Sequence, residues 1–260
     1  MSGRIHPSAS VSDRAVIGPG TEVGAFAVIG DEVTLGADCT VMSHAVLQGP
    51  TKAGDGCRFH PFSSVGSDPQ DLKYQGERTE LVIGSRNVFR EFVTVNRGTA
   101  GGGGVTRIGD DNLFMAYAHV AHDCHVGSGT IFANAATLAG HVEVEDGATV
   151  GAFSAVHQQC RIGRQAFIGG FSVVTRDALP FVKTVGEREI STFGINAVGL
   201  KRRGFSAEAV ESLQKAYRIL KQSGLNTSQA LERIEAEGDA SGEVAYLIAF
   251  IRGSSRGVIK

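Results

Sequence analysis

Five of the eight histidines fall in one stretch of the chain: His119, His122, His125, His141 and His157. Imidazole titrates naturally near neutral pH, so such a cluster can supply a general base, a proton shuttle or metal ligands. Asp123 follows His122 directly, and a carboxylate beside an imidazole can fix its tautomer and steady its charged form. Taken singly, a histidine is more often solvated or satisfied without a role, and Asp123 reads equally as a polar turn residue. Other chemistry-bearing types gather in two places. Gln70, Asp71 and Lys73 lie within Gln70-Asp71-Leu72-Lys73-Tyr74, and Lys201-Arg202-Arg203 is a short basic run. The four cysteines, Cys39, Cys57, Cys124 and Cys160, include no CxxC pair, which argues against a zinc knuckle or a redox dithiol.

Which of these groups meet depends on the elements that carry them. Glycine is in excess, 35 of 260 residues, against a usual roughly 7%. Every sixth residue is apolar from Ile5 to Val65, again from Ile83 to Val95, and again from Ile108 to Val174. Val, Ile and Leu dominate this column, with Phe59, Phe89, Phe114, Phe132 and Ala53 as the exceptions. Glycine often follows the apolar residue, as at Gly18, Gly24, Gly30 and Gly36, where it suggests a turn that a Cβ would obstruct. The fourth position after it is small and holds all four cysteines, which reads them as buried fillers. A period of six with one large and one small inward residue is the logic of a parallel β-helix. Each hexad makes a strand and a turn, and three hexads make a triangular coil of about 18 residues, stacked about 4.8 Å apart.

The expected fold is therefore mainly β, a parallel β-helix of hexapeptide repeats over 1–190 with a C-terminal α-helical domain over 191–260. Insertions interrupt the repeat at about 67–82 and 97–107. The second holds Gly101–Gly104, which reads as a plain flexible loop because no Gly-Lys-Ser/Thr follows. Helices are predicted from a Ser206 cap through Val210, Leu213, Tyr217 and Leu220 to Gly224, then over 227–237 and 242–252. Coil arithmetic now tests the histidines. One coil beyond His122 lies Gly140, with His141 beside it; two coils beyond lies Gln158, with His157 beside it. His122, His141 and His157 thus line one edge in steps of about 5 Å. No two histidines are five apart, the ligand spacing of the γ-type carbonic anhydrases that share such a fold, so no metal is expected.

Charge and hydropathy exclude other classes. The balance of 25 Lys+Arg against 27 Asp+Glu gives a net charge of −2, which does not fit a strongly basic nucleic-acid binder. No apolar run approaches the roughly 20 residues of a membrane span. The N-terminal residues show no secretory signal, so a cytoplasmic location is expected by default.

The hexads resemble the left-handed β-helix of the hexapeptide acyltransferase superfamily; general crossover rules alone would favour a right-handed connection. Ala118-His119-Val120-Ala121-His122-Asp123-Cys124 is similar to the active-site segment of the acyl-carrier-protein–UDP-N-acetylglucosamine O-acyltransferases of lipid A synthesis. Gln70 to Tyr74, Thr137 to His141, Ala155 to Gln158 and Gly199 to Phe205 resemble the same family, and the resemblance runs over essentially the whole chain. It implies transfer of a (3R)-3-hydroxyacyl group from acyl carrier protein to the 3-hydroxyl of UDP-GlcNAc, with no covalent enzyme intermediate. The acyl group would arrive on the carrier's phosphopantetheine, so no resident cofactor or metal is implied. By resemblance, His122 is the general base, Asp123 orients it, and the Gly140 N–H steadies the oxyanion. Gln70, Asp71, Lys73, His119, His141, His157 and Gln158 would bind sugar or nucleotide, and Asn196, Arg202 and Arg203 would reach uridine and phosphates. Gly170 would limit acyl length; it lies about 13 Å from His122 along the axis by coil counting, and a glycine there leaves room for a long chain. A homotrimer is implied, with sites between copies. The acidic carrier protein suggests docking on Lys215, Arg218 and Lys221. Ser67-Asp68-Pro69 and Val198 depart from the family pattern. Three alternatives stay open: transfer to a 3-amino sugar nucleotide, another hexapeptide acyltransferase such as the pathway's later N-acyltransferase, and a non-catalytic β-helical scaffold. The N-acyltransferase usually carries an added N-terminal domain, for which hexads starting at Ile5 leave no room.

Overall fold

The computed structural model describes residues 4–186, 194–221, 224–237, 242–254 and 258. The chain divides into two units, Met1–Glu187 and Arg188–Lys260. The boundary expected at 190/191 lies outside the described residues.

In the first unit, strands of two to four residues build three parallel sheets of nine, eight and nine strands. Ser10–Val11 pairs with Val28–Ile29, and Val16–Ile17 with Thr34 and Leu35, so the chain returns to each sheet after three hexads. The unit is a left-handed parallel β-helix. A two-residue strand turns one side chain out and the next in, which makes every sixth residue a core residue. Val23, Ile29, Leu35, Val41 and Leu47 are all buried. The four core phenylalanines belong to one sheet and stack: Phe59 on Phe89, Phe89 on Phe114 and Phe114 on Phe132, with centroids 5.2, 4.9 and 4.8 Å apart. The small column is buried too. Cys39, Cys57 and Cys124 each donate a thiol proton to a carbonyl of the next coil, at Gly54, Gly84 and Ala139.

The glycine column stands where a Cβ would obstruct the coil, as expected, but not through backbone angles of its own. Gly18, Gly36, Gly54 and Gly84 do not have left-handed backbone angles. A Cβ on Gly18 would instead lie 2.3 Å from the Gly36 carbonyl oxygen, so glycine lets consecutive coils approach at a corner. The left-handed conformation falls two residues later, on Phe26, Asp38, His44, Asp123 and His141, with φ between 53° and 62°. Such a backbone costs about 1–2 kcal/mol for a residue with a Cβ, and the coil-to-coil hydrogen bonding offsets it.

Both insertions leave the helix at one corner. Ser64–Ser67 pairs with Thr94–Asn96, and Glu80–Ile83 pairs with Val105–Ile108, so both returns are longer than that of a regular coil. The extra residues are 68–79 and 97–104, one coil apart. The next coil turns the same corner between His119–Val120 and His125–Val126. Beyond Val174 the sequence pattern ends, yet the coil continues: Phe167–Ile168 pairs with Lys183–Thr184 after a slightly shortened return.

The second unit contains α1 (Ala197–Arg202), α2 (Ala207–Lys221), α3 (Thr227–Ala236) and α4 (Gly242–Arg252). The Ser206 hydroxyl accepts the Ala209 N–H, and Asn226 with Gln229 forms a capping box. Ala216, Ile219, Leu231, Ile234, Val244, Ile248 and Ile251 make its core. Of the apolar residues expected along α2, Val210 is buried and Leu213 and Leu220 pack half-buried against this core, and Ala209, Ala216 and Ile219 are buried as well. The short α1 carries Lys201 and Arg202 of the basic run in its last turn. Among the described residues no helix is long and apolar enough to cross a membrane.

Candidate active site

The corner carrying both insertions also carries the histidines. His122 lies in the turn between two strands, and its Nδ1 is 2.8 Å from Oδ2 of Asp123. Because Nδ1 faces a carboxylate, it carries the proton, and Nε2 is left as an acceptor. Asp123 adopts φ 59°, a conformation that aspartate tolerates better than most residues. Its side chain is only 1% exposed, although a turn residue of this repeat points outward by default.

The second insertion accounts for that burial. The Thr99 N–H donates to Oδ1 of Asp123 at 2.8 Å, and the Thr99 hydroxyl donates to Oδ2 at 2.6 Å. The Asp123 N–H is in turn taken by the Thr106 hydroxyl at 2.8 Å. A 3₁₀ turn, Ala100–Gly102, folds over the carboxylate. A Cβ on Gly102 would lie 2.1 Å from Asp123 Cγ, and one on Gly98 would lie 2.8 Å from Oδ1. The glycine run is therefore not a plain flexible loop, as expected from sequence; part of it is a lid made of backbone. Thr99, Gly98 and Gly102 were missed. Their signal was present, since the insertion leaves the corner one coil before His122.

Gly140 sits one coil beyond His122. An ideal Cβ there would lie 2.6 Å from Cε1 and 2.8 Å from Nε2 of the His122 ring, so only glycine lets the ring occupy this place. The Gly140 carbonyl accepts Gln159 N–H; among the described residues its own N–H has no intramolecular acceptor. His141 meets His122 edge-on, with centroids 5.1 Å apart, and its Nε2 is 3.9 Å from Asp123 Oδ2. His119, on the strand leading into the turn, pairs through Nδ1 with the Thr94 hydroxyl at 2.7 Å. Burial, and then the neighbouring His122, push the His119 imidazole below its ordinary range. His157 and Gln158 are exposed at the same corner, two coils on from His122.

His122, Asp123 and His141 offer donor atoms within 4.8 Å of one another. Oδ2 already accepts two hydrogen bonds and Oδ1 one. The Cys124 thiol, adjacent in sequence, is pushed up to about 12 by burial, too high for a nucleophile at neutral pH.

The first insertion is held by a buried arginine that the sequence reading passed over. Arg97 donates to the Gly66 carbonyl at 2.5 Å and to the Tyr74 hydroxyl at 3.2 Å, and it ion-pairs with Asp68. Within this loop, the Asp71 carboxylate accepts the Lys73 N–H at 2.9 Å, while Gln70 and Lys73 are exposed. Gly170 lies over the Ala152 carbonyl, which a Cβ would approach to 3.0 Å. Asn196, Arg202 and Arg203 belong to the second unit. Asn196 caps α1 through Gly199 N–H, and both arginines are exposed. Lys215 is engaged by Glu237 at 2.8 Å.

A left-handed β-helix with a half-buried histidine paired to a buried carboxylate at an insertion-bearing corner fits the hexapeptide-repeat acyltransferase class. Comparison with known proteins carries this further. The family profile described as bacterial transferase hexapeptide (six repeats) matches residues 106–140, and the one described as domain 2 of UDP N-acetylglucosamine O-acyltransferase matches 177–259. An acyl-[acyl-carrier-protein]–UDP-N-acetylglucosamine O-acyltransferase of Stenotrophomonas maltophilia is 46% identical over 257 residues, covering 99% of this chain and 98% of its own. The protein of that name from Alkalilimnicola ehrlichii is 51% identical over 199 residues, 76% of this chain and 77% of its own. The crystal structure of the Francisella novicida UDP-N-acetylglucosamine acyltransferase superposes with a TM-score of 0.69 at 34% identity, covering 98% of this chain and 93% of its own. The chain belongs to the acyl-[acyl-carrier-protein]–UDP-N-acetylglucosamine O-acyltransferase family and is an acyltransferase.

Proposed function

We propose that the protein carries out the reaction for which its relatives are named, placing a (3R)-3-hydroxyacyl group from acyl carrier protein on the glucosamine 3-position of UDP-GlcNAc, the first step of lipid A synthesis. The observation that carries the mechanism is the His122–Asp123 pair with Gly140 against Nε2. Nε2 takes the proton of the sugar 3-hydroxyl as its oxygen attacks the thioester carbonyl. The tetrahedral oxyanion is met by the unpaired Gly140 N–H. Its collapse expels the phosphopantetheine thiolate, which recovers the proton from the His122 imidazolium. Asp123 holds the tautomer and steadies that imidazolium. No resident cofactor or metal takes part in these steps.

Around this centre, Gln70, Asp71, Lys73, His119, His141, His157 and Gln158 hold the sugar nucleotide; Asn196, Arg202 and Arg203, in the second unit, are assigned by family resemblance to the uridine and phosphates, for which guanidinium geometry is suited. Gly170 leaves the acyl groove open to a long chain. The enzyme acts as a homotrimer in the cytoplasm, where carrier protein delivers the acyl group.

The test is a mass-resolved transfer assay that offers UDP-GlcNAc or its 3-amino analogue against a series of hydroxyacyl carrier proteins. An ester on UDP-GlcNAc with a long hydroxyacyl chain is expected. An amide formed only on the analogue would move the acceptor to a 3-amino sugar. His122→Ala should lose about 10²–10⁴-fold in kcat, and retained turnover would remove the assigned base.

A further inference from the structure

We infer that Thr99 is a positioning residue for catalysis: the second insertion uses it to clamp the Asp123 carboxylate, and through that carboxylate the catalytic imidazole. This inference rests on the assignment of His122 as base and adds a residue one coil away from it. Thr99 grips both oxygens of Asp123, by its N–H on Oδ1 and by its hydroxyl on Oδ2. Oδ2 is the atom that meets His122 Nδ1. Thr99 precedes the 3₁₀ turn in the position of an N-cap, yet its side chain makes no cap hydrogen bond. The hydroxyl is thus committed to the aspartate and not to its own turn. Thr99 is itself buried, so its hydroxyl bonds the carboxylate in the absence of competing water.

The backbone around it is shaped to the same end. Gly98 and Gly102 leave no Cβ between the insertion and the carboxylate, and Gly102 N–H and Gly104 N–H both return to the Thr99 carbonyl. The turn is closed on Thr99, and Thr99 is closed on Asp123. Among the described residues the titratable groups facing the pair are few. His141 approaches Asp123 at 3.9 Å, His119 sits beside His122 on the preceding strand, and the Cys124 thiol is buried next in sequence.

A hydrogen bond to a carboxylate spreads its charge. Losing the Thr99 hydroxyl leaves that charge to the imidazolium and also frees the carboxylate to shift. Thr99→Val should lower plateau kcat about tenfold with KM for the sugar nucleotide unchanged, because Thr99 is buried and its polar side-chain atom is bonded to Asp123. It should also move the acid limb of the pH–rate profile upward by about half a unit or more. Thr99→Ser should restore both. A purely structural threonine would lower kcat by loss of folded enzyme and leave the acid limb in place. Gly102→Ala, whose Cβ must push the turn off Asp123, is the second variant, and the same shifted limb is expected. The inference is overturned if Thr99→Val and Gly102→Ala, both folded by circular dichroism, keep the wild-type profile, or if Thr99→Ser shifts it as far as Thr99→Val. His122→Ala is measured alongside. If it retains turnover, the base assignment fails; if it is inactive while the Thr99 variants behave as wild type, only the clamp fails.

Discussion

At the scale of single residues, the site works by close approach. Gly140 is the clearest case, because its backbone passes within contact of the base itself. Its φ is not in the left-handed region, so alanine suits the backbone and only the His122 ring is displaced. Gly140→Ala should therefore melt close to the wild type but lose about 100-fold in kcat, since a misplaced base forfeits most of its advantage. Steady-state kinetics with a thermal melt checks this. Near-normal kcat would show that the His122 ring tolerates a shift of ångström size. The four cysteines make the opposite point. They look reactive in a list of residue types, yet each is buried and serves as a small core residue.

At the scale of elements, the two insertions do different work from one corner. The second secures Asp123; the first carries Gln70, Asp71 and Lys73 and hangs from Arg97. Asp68 is the exposed partner of that arginine. Asp68→Ala should loosen the first insertion, raising KM for the sugar nucleotide about two- to fivefold, the range of a largely exposed pair, while kcat stays within about twofold. Equal changes in both parameters would show that the loop also shapes the reacting centre. The same elements show what could be seen in advance. The strands were legible because a narrow interior admits one apolar side chain per hexad, and the stacking of Gly140 on His122 followed from counting. The burial of Asp123 was not legible, since it depends on an earlier insertion folding back through Thr99. The glycine column was visible, and a Cβ is excluded there by contact between coils, while the left-handed turns fall on Phe26, His44 and Asp123. The helix α1 escaped because so short a segment gives too little periodicity to detect.

At the scale of the whole β-helix, one corner presents what the other elements do not explain. Phe26, His44, Phe62, Phe92 and Tyr117 stack in an unbroken column with centroids 4.9–5.3 Å apart, and Phe153 on Phe171 continues it after Ala135. The six phenyl and phenol rings are 43–75% exposed. A contiguous apolar column of this length on a surface marks an interface. Each ring, half buried already, has about 100 Å² left to cover. Six rings supply about 600 Å², most of the roughly 800 Å² per partner of a standard interface. A triangular prism offers such a corner to two neighbours around a threefold axis, which is why the column supports the proposed trimer. Wild-type protein should sediment as a trimer. Phe92→Asp combined with Tyr117→Asp places charges at the middle of the column, on outward side chains that the core does not need. The double variant should sediment as a monomer with its β-helix intact by circular dichroism. Because the site is proposed to lie between copies, turnover should fall with the trimer and return at protein concentrations that restore it. A double variant that remains trimeric would place the interface on another face, and a fully active monomer would remove the need for one.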